Sequence, residues 1–316
     1  MATAPILVAG EALYDLVAGP GGEINGHPGG GPFNLARTIG RLGRRVAYLG
    51  RLSTDRLGRT HHRMLADDGV DTSLVVRTDD PTTLALASLD AEGGASYGFY
   101  TAGTAAAGLR PEEALAALPP HVAALHVGTL GLVLEPTATA LEAVVERLAG
   151  TTMIVLDPNC RPQAIDDPEP YRARLDRVLA RSDIVKISEE DLAWLRPGSD
   201  AGDAARALLE HGPRAVLLTR GPDGVTVITP NEETHVAAEP TTVVDTIGAG
   251  DAFGGGFLAW WHSRNLGKDD LSTTALIADA ARFGALVAAR TVARAGASPP
   301  QLRATAKGRP LQHDSV

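Results

Sequence analysis

Residues 243–262, VVDTIGAGDAFGGGFLAWWH, constrain the fold more than any other stretch. Val243 and Val244 read as the end of a buried β-strand, Gly248, Ala249 and Gly250 as a turn of small residues, and Asp251 as the start of a helix. Apolar residues resume at Phe253, Phe257, Leu258 and Trp261, close to a helical period. A strand, a glycine turn and a helix leave backbone N–H groups unpaired at the helix start, with the positive end of the helix dipole behind them. Such a terminus suits an anion, phosphate above all. Asp251 stands among those donors, and donors favour the ionised carboxylate that a general base requires. Gly254, Gly255 and Gly256 each cost about 1 kcal/mol relative to Ala inside a helix. Three in a row imply close approach by another backbone or by a ligand; the plainer reading is a tightly packed helix with Asp251 as its cap. No G-x-x-x-x-G-K-[ST] occurs, and Gly248, Gly250 and Gly254 have one residue too many between them for G-x-G-x-x-G.

The rest of the chain reads as the frame for this turn. Residues 5–10 form a short, near-continuous apolar run, as in a strand buried on both faces, with Glu11, Tyr14 and Asp15 at its end. Residues 19–31 are glycine-rich and read as loops with a hairpin. Pro32 opens a helix whose apolar face is Phe33, Leu35, Ala36, Ile39 and Leu42, and Gly43 ends it. Residues 46–49 read as a strand and 55–68 as a helix carrying His61 and His62, adjacent and on different faces, as surface residues rather than metal ligands. Residues 84–89 and 96–100 look like strands of an antiparallel ribbon in which Tyr97, Phe99 and Tyr100 gather aromatics in a chain with only 4% of them. That ribbon either covers a site or pairs in a sheet.

Beyond about residue 110 the alternation is regular. Strands are expected at 125–127, 154–156, 184–187 and 216–218, helices at 137–148, 171–180 and 201–211, a hairpin at 225–228 and 235–238, and a long alanine-rich helix at 275–289. This is the βαβ pattern of a mostly parallel sheet with helices on both faces, in which ligands bind beyond the carboxyl ends of the strands. The polar residues there are Asp15, Asp157, Asn159, Arg161, Lys186, Ser188, Thr219, Arg220, Asp245 and Asp251. Asn34 is either a local cap or a hydrogen-bonding group for a bound polyol. Ser188 to Asp191 matches a capping box. The tail from residue 301 reads as poorly ordered.

A formal charge of −9 argues against nucleic-acid binding through a general basic surface. One cysteine, Cys160, excludes an internal disulfide and fits a reducing cytoplasm. The N-terminus has neither a basic region nor a long apolar run, so neither a signal peptide nor a membrane span is expected.

Five motifs occur in one order: GEALYDL with GGGPFNLARTIGRLG, then DPNCRP, KISEEDLAWL, LLTRGPDG and DTIGAGDAF. Together they resemble the ribokinase-like (PfkB) carbohydrate kinases, nearest the fructokinase and 2-keto-3-deoxygluconate kinase branch. The resemblance implies a ribokinase-like three-layer α/β/α domain over 1–316, with a mostly parallel central sheet and a small β-sheet lid at about 12–28 and 84–101. It implies an ATP-dependent transfer to a primary hydroxyl of a small sugar, fructose first, with 2-keto-3-deoxygluconate or a nucleoside as alternatives and a non-catalytic sugar-binding protein as the reading from another class. Asp251 would be the base, and the backbone of Gly248, Ala249 and Gly250 the anion hole. Asp15, Gly30, Gly31, Asn34, Phe99, Asn159 and Arg161 would hold the sugar, and Lys186, Ser188, Thr219, Gly221 and Gly224, with Gly248 and Gly250, would lie along ATP. Asp191 would help hold hydrated Mg2+, although relatives carry Glu there and Asn at Ser188. Asp245, Ile247 and Ser298 would bind a monovalent cation such as K+. Lid-to-lid homodimers occur in the family.

Overall fold

The computed structural model describes residues 4–19, 21–89 and 95–301. The tail beyond residue 301 and the Tyr97 side chain lie outside the description. In chain order the N-terminal part runs β1 (Ile6–Ala9), β2 (Leu13–Ala18), β3 (Ile24–Gly29), α1 (Gly31–Arg41), β4 (Val46–Leu49), β5 (Arg51–Ser53), α2 (Arg56–Asp67), β6 (Val76–Thr78), β7 (Leu84–Leu89) and β8 (Ala95–Tyr100). There follow α3 (Pro111–Ala117), β9 (Ala124–Gly128), α4 (Thr137–Leu148), β10 (Met153–Asp157), α5 (Pro168–Leu179), β11 (Ile184–Ser188), α6 (Glu189–Leu195), α7 (Ala201–Ala207) and β12 (Ala215–Thr219). The chain closes with β13 (Val225–Ile228), β14 (Glu233–Val236), α8 (Ala249–Ser263) and α9 (Thr274–Val292).

Eight strands form the central sheet in the order β14-β13-β12-β11-β10-β9-β1-β4. The six from β12 to β4 are parallel, and the β13–β14 hairpin adds an antiparallel edge. Alternate residues of each strand serve the two faces, as a strand period of two requires. Ile6, Val8, Val155, Ile184 and Leu217 pack with Phe33, Leu65, Phe257 and Ile277, so α1, α2, α8 and α9 cover one face. Leu7, Leu125, Ile154, Val185 and Val216 pack with Ala114, Leu141, Tyr171, Leu192 and Ala205, so α3 to α7 cover the other. The result is an α/β/α sandwich, with helices on both faces of a mostly parallel sheet as the βαβ alternation implied.

A smaller four-stranded sheet, β3-β2-β7-β8, stands apart from the central one. The 19–31 hairpin and the 84–100 ribbon join in it through the parallel β2–β7 pair. Its Leu13 and Ala85 pack with Ala107, before α3, and with Leu130 and Leu134, after β9, and Phe99 lies against them.

Two expectations fail. Val243 and Val244 belong to no strand and are 58% and 61% exposed. The amides of Val244 and Asp245 both reach Val292 O at the end of α9, so this apolar pair runs along a helix end and not along a ladder. His61 is not a surface residue but fully buried. Its ring fills the space between α1 and β2, edge-on to Phe33 and Tyr14, with Nε2 2.8 Å from Leu13 O. Burial pulls it down to about 4. Gly58, His61 and Leu65 form the buried stripe of α2, a helical spacing visible in the sequence.

The triple glycine of α8 is explained by packing. A Cβ on Gly255 would lie 2.6 Å from Thr38 Cβ of α1, and one on Gly256 3.0 Å from the Gly284 Cα of α9. Helix backbones approach on both sides of α8, and no ligand is needed to account for those glycines.

Candidate active site

The site lies at the carboxyl ends of β1, β9, β10 and β11, where α8 begins. Gly248 caps α8 at φ 76, a left-handed conformation that L side chains seldom adopt. A Cβ there would also strike Ala297 at 2.7 Å, so the turn requires glycine twice over. Asp251 sits in the first turn of α8, and its Oδ2 accepts a hydrogen bond of 3.0 Å from Asn34 Nδ2 of α1. Asn34 therefore does not cap its own helix; it orients the acid of another. The donors around Asp251 do not set its protonation alone. Burial pushes it up to about 6, against the opposing pull of Asn34 and Lys186, so it is ionised only above that pH.

Gly31 marks the centre of the site. A Cβ there would lie 2.8 Å from Thr129 Cγ2, 3.2 Å from Asp251 Oδ1 and 3.5 Å from Asn159 Nδ2. Side chains from two strand ends and one helix start thus converge around one glycine. Thr129 and Asn159 both have positive φ, at 54° and 39°, and non-glycine residues in such strained conformations cluster at functional sites. Arg161 is held back on its own loop, its Nη1 donating to Asn159 Oδ1 at 2.8 Å. Its charge and that of His27 pull the Asp15 carboxyl down, but burial outweighs them and leaves Asp15 at about 6. Asp15 and Phe99 belong to the small sheet, so that sheet meets the central one at the site.

Lys186 lies beneath the turn. Its Nζ is 3.0 Å from where a Cβ on Gly250 would be, and it donates to Asp157 Oδ2 at 2.8 Å. Burial works against the Lys186 charge, but Asp157, Asp191 and Asp251 overcome it and raise the ammonium above its ordinary range. A fixed positive charge thus backs the helix start. Asp157 Oδ1 is buried without a partner.

The Ser188–Asp191 capping box is present: Ser188 Oγ accepts from the Asp191 amide, while Asp191 Oδ2 accepts from Ser188 Oγ and Oδ1 from the Cys160 amide. No group of three or more His, Cys, Asp or Glu side chains able to hold a metal occurs among the described residues. Asp245 accepts from the amides of Ile247 and Gly296, which ties the 296–298 loop, with Ser298, against the Gly248 turn. Thr219 donates weakly to Ile187 O at 3.3 Å, and Gly221 and Gly224 follow it with positive φ at the end of β12.

Sequence reasoning missed Thr129 and the Asp157 partnership of Lys186. Asp157 was legible as a polar residue ending an apolar strand; Thr129 had only the signal of a Gly-Thr pair after one.

The pfkB family carbohydrate kinase pattern matches residues 4–304. A fructokinase of Rhizobium leguminosarum bv. trifolii is 38% identical over 265 residues, covering 83% of this chain and 81% of that protein. The fructokinase of Vibrio cholerae O395, in a fructose-, ADP- and calcium-bound form, superposes with a TM-score of 0.82 at 27% identity, covering 93% of this chain and 94% of the other. The aminoimidazole riboside kinase of Salmonella enterica, complexed with aminoimidazole riboside and an ATP analogue, also gives 0.82 at 27%, covering 93% and 95%. With the matched pattern running through both sheets and ending beyond the 296–298 loop, the chain belongs to the pfkB family of carbohydrate kinases.

Proposed function

We propose that the chain is an ATP-dependent fructokinase in which Asp251 is the base. The observation that carries this is the convergence at one helix start of a buried carboxylate, the glycine turn and the Lys186 ammonium. Phosphoryl transfer asks mainly for positioning and charge stabilisation, and this arrangement offers both. The sugar lies over Gly30 and Gly31, with Asp15, Asn34, Asn159, Arg161 and Phe99 around it. Asp251 takes the proton of a primary hydroxyl as its oxygen forms a bond to the γ-phosphorus. The bond from that phosphorus to the bridging oxygen breaks, and ADP leaves with the electron pair. The amides of Gly248, Ala249 and Gly250 and the Lys186 charge hold the developing negative charge.

ATP runs from this turn along Lys186, Ser188, Thr219, Gly221 and Gly224. Asp191 would hold the water shell of Mg2+ brought with the nucleotide, and the unpartnered Asp157 Oδ1 is a second oxygen able to accept there; the ion would supply neutralisation of phosphate charge. Asp245, Ile247 and Ser298 form the proposed monovalent-cation loop. The small sheet serves as the lid that keeps water from the phosphate. No helix among the described residues is long and apolar enough to cross a membrane.

The fructokinase relative supports fructose as acceptor, and the riboside kinase keeps a nucleoside as the second reading. ADP release with Mg-ATP and K+ against fructose, ribose, 2-keto-3-deoxygluconate, adenosine and aminoimidazole riboside tests the choice. Fructose should give the highest kcat/KM; a riboside ahead of it replaces the acceptor, and no turnover with any sugar or nucleoside overturns the kinase reading.

A further inference from the structure

Glu11 is a buried carboxyl that the transfer reaction leaves unused. It follows β1, is 2% exposed, and reaches across to the turn after β9. Oε1 accepts from Thr129 Oγ1, and Oε2 accepts from the Gly131 amide at 2.9 Å. Thr129 in turn sets its Cγ2 methyl beside Gly31, in the space it shares with Asp251 Oδ1 and Asn159 Nδ2, while its hydroxyl faces Glu11. We propose that Glu11 is a positioning residue of the acceptor pocket: the proton on its carboxyl sets the direction of the Thr129 hydroxyl, and through it how the acceptor is held.

The inference rests on the sugar-kinase reading and deepens it. The Gly131 amide is buried and needs an acceptor whatever the state of Glu11, so Oε2 stays an acceptor. A proton added to the carboxyl therefore goes to Oε1. Thr129 Oγ1 then accepts, and its own hydrogen turns away from Glu11. With Glu11 ionised, Thr129 donates to it and presents only lone pairs. Burial pushes Glu11 up to about 7, the Thr129 and Gly131 donors oppose this, and the Asp251 charge adds to it. The titratable groups facing Glu11 are Asp251 from α8 and Tyr48 from β4; the Tyr48 phenol donates to Gly10 O and is held neutral by burial. The change therefore falls where a cell would feel it.

Glu11→Gln copies the protonated state, its carbonyl accepting from Gly131 and its amide donating to Thr129. Initial rates with fructose are measured from about pH 6 to about pH 8, on either side of the Glu11 value of about 7. The wild-type acceptor KM should change about three- to tenfold across that range, the size of one hydrogen bond gained or lost. Above about pH 7, clear of the Asp15 and Asp251 titrations at about 6, Glu11→Gln and Thr129→Val should be flat and Thr129→Ser pH-dependent like wild type, with the KM for ATP unaltered in all three. A Glu11→Gln variant that follows the wild-type profile, or one that shifts both KM values together with a matching fall in Tm, overturns the proposal. If Glu11→Gln does not fold, the Thr129 pair decides: Val and Ser with the same profile overturn it. If wild type phosphorylates no acceptor, only the kinase reading falls. Glu11 is then followed by 13C NMR, where a carboxyl titrating near its value of about 7 and moving the Thr129 methyl upholds the proposal, and a titration in the ordinary carboxylate range overturns it.

Discussion

Asp251 and Asp15 are both pushed up to about 6 by burial, yet they stand on different kinds of support. Asp251 is carried by a helix pressed between α1 and α9, over a sheet covered on both faces. Asp15 is carried by β2, half-buried in a four-stranded sheet whose Leu13 and Ala85 join a cluster of five small and medium buried side chains. The contrast separates two tasks. A group that must meet a reacting oxygen within fractions of an ångström sits where every side is packed. A group that only recognises the acceptor sits on a thin layer, where fewer buried contacts give lower local stability.

Four experiments break or sharpen this contrast. The largest effect belongs to Asp251→Asn, which should lower kcat by about 10³-fold or more, the scale of a lost general base, with ATP affinity by calorimetry unchanged. In the wild type, kcat/KM should fall as the pH drops through about 6, where Asp251 takes up its proton. A carboxyl whose folded value is raised binds its proton more tightly in the native state, so its contribution to stability is fully present at low pH and is lost as the pH rises towards about 6. Asp251→Asn should accordingly stabilise the protein by about 1–3 kcal/mol at alkaline pH and by nothing at acid pH. A Tm gain of equal size at both would refute that origin.

Next comes Lys186→Met, which strands the Asp157 carboxylate without its partner. Removing one member of a buried pair costs about 3–5 kcal/mol, read as a lower denaturant midpoint with an unaltered m-value. Asp157→Asn in the same chain should restore much of the loss.

Gly256→Val tests the packed helices without touching the chemistry. Overpacking should cost about 1–3 kcal/mol and leave the acceptor KM as it was. A loss of activity at full stability would mean that α8 transmits its packing to Asp251.

The smallest expected effect is that of Asp15→Asn. It should raise the acceptor KM by about tenfold, as loss of a charge-assisted hydrogen bond does, and at alkaline pH it should stabilise the protein by no more than Asp251→Asn does. A loss of kcat as large as that from Asp251→Asn would erase the distinction between the two carboxyls.

Much of this organisation was legible without coordinates. The glycine turn and Asp251 were, because a helix start carries its anion-binding geometry in a few consecutive residues. The central strands were, because both faces are buried and their apolar runs are nearly unbroken. Val243 and Val244 misled for the same reason: apolar, β-branched residues look like a strand whether or not a neighbour offers a ladder. His61 misled because its spacing with Gly58 and Leu65 marks a buried stripe but does not say that β2 and Phe33 close over the ring.

What the sequence determined by itself was local and periodic: the α/β alternation, the turn at Gly248, the capping box at Ser188 and the acid at Asp251. What only the tertiary structure decided was which distant groups meet. Asn34 lies 217 residues from Asp251, and Glu11 lies 118 from Thr129. Burial depth, and with it the upward shift of Glu11, Asp15 and Asp251, was also decided there. Charge states in a protein depend on solvent excluded from all sides, and no single stretch of chain can exclude it alone.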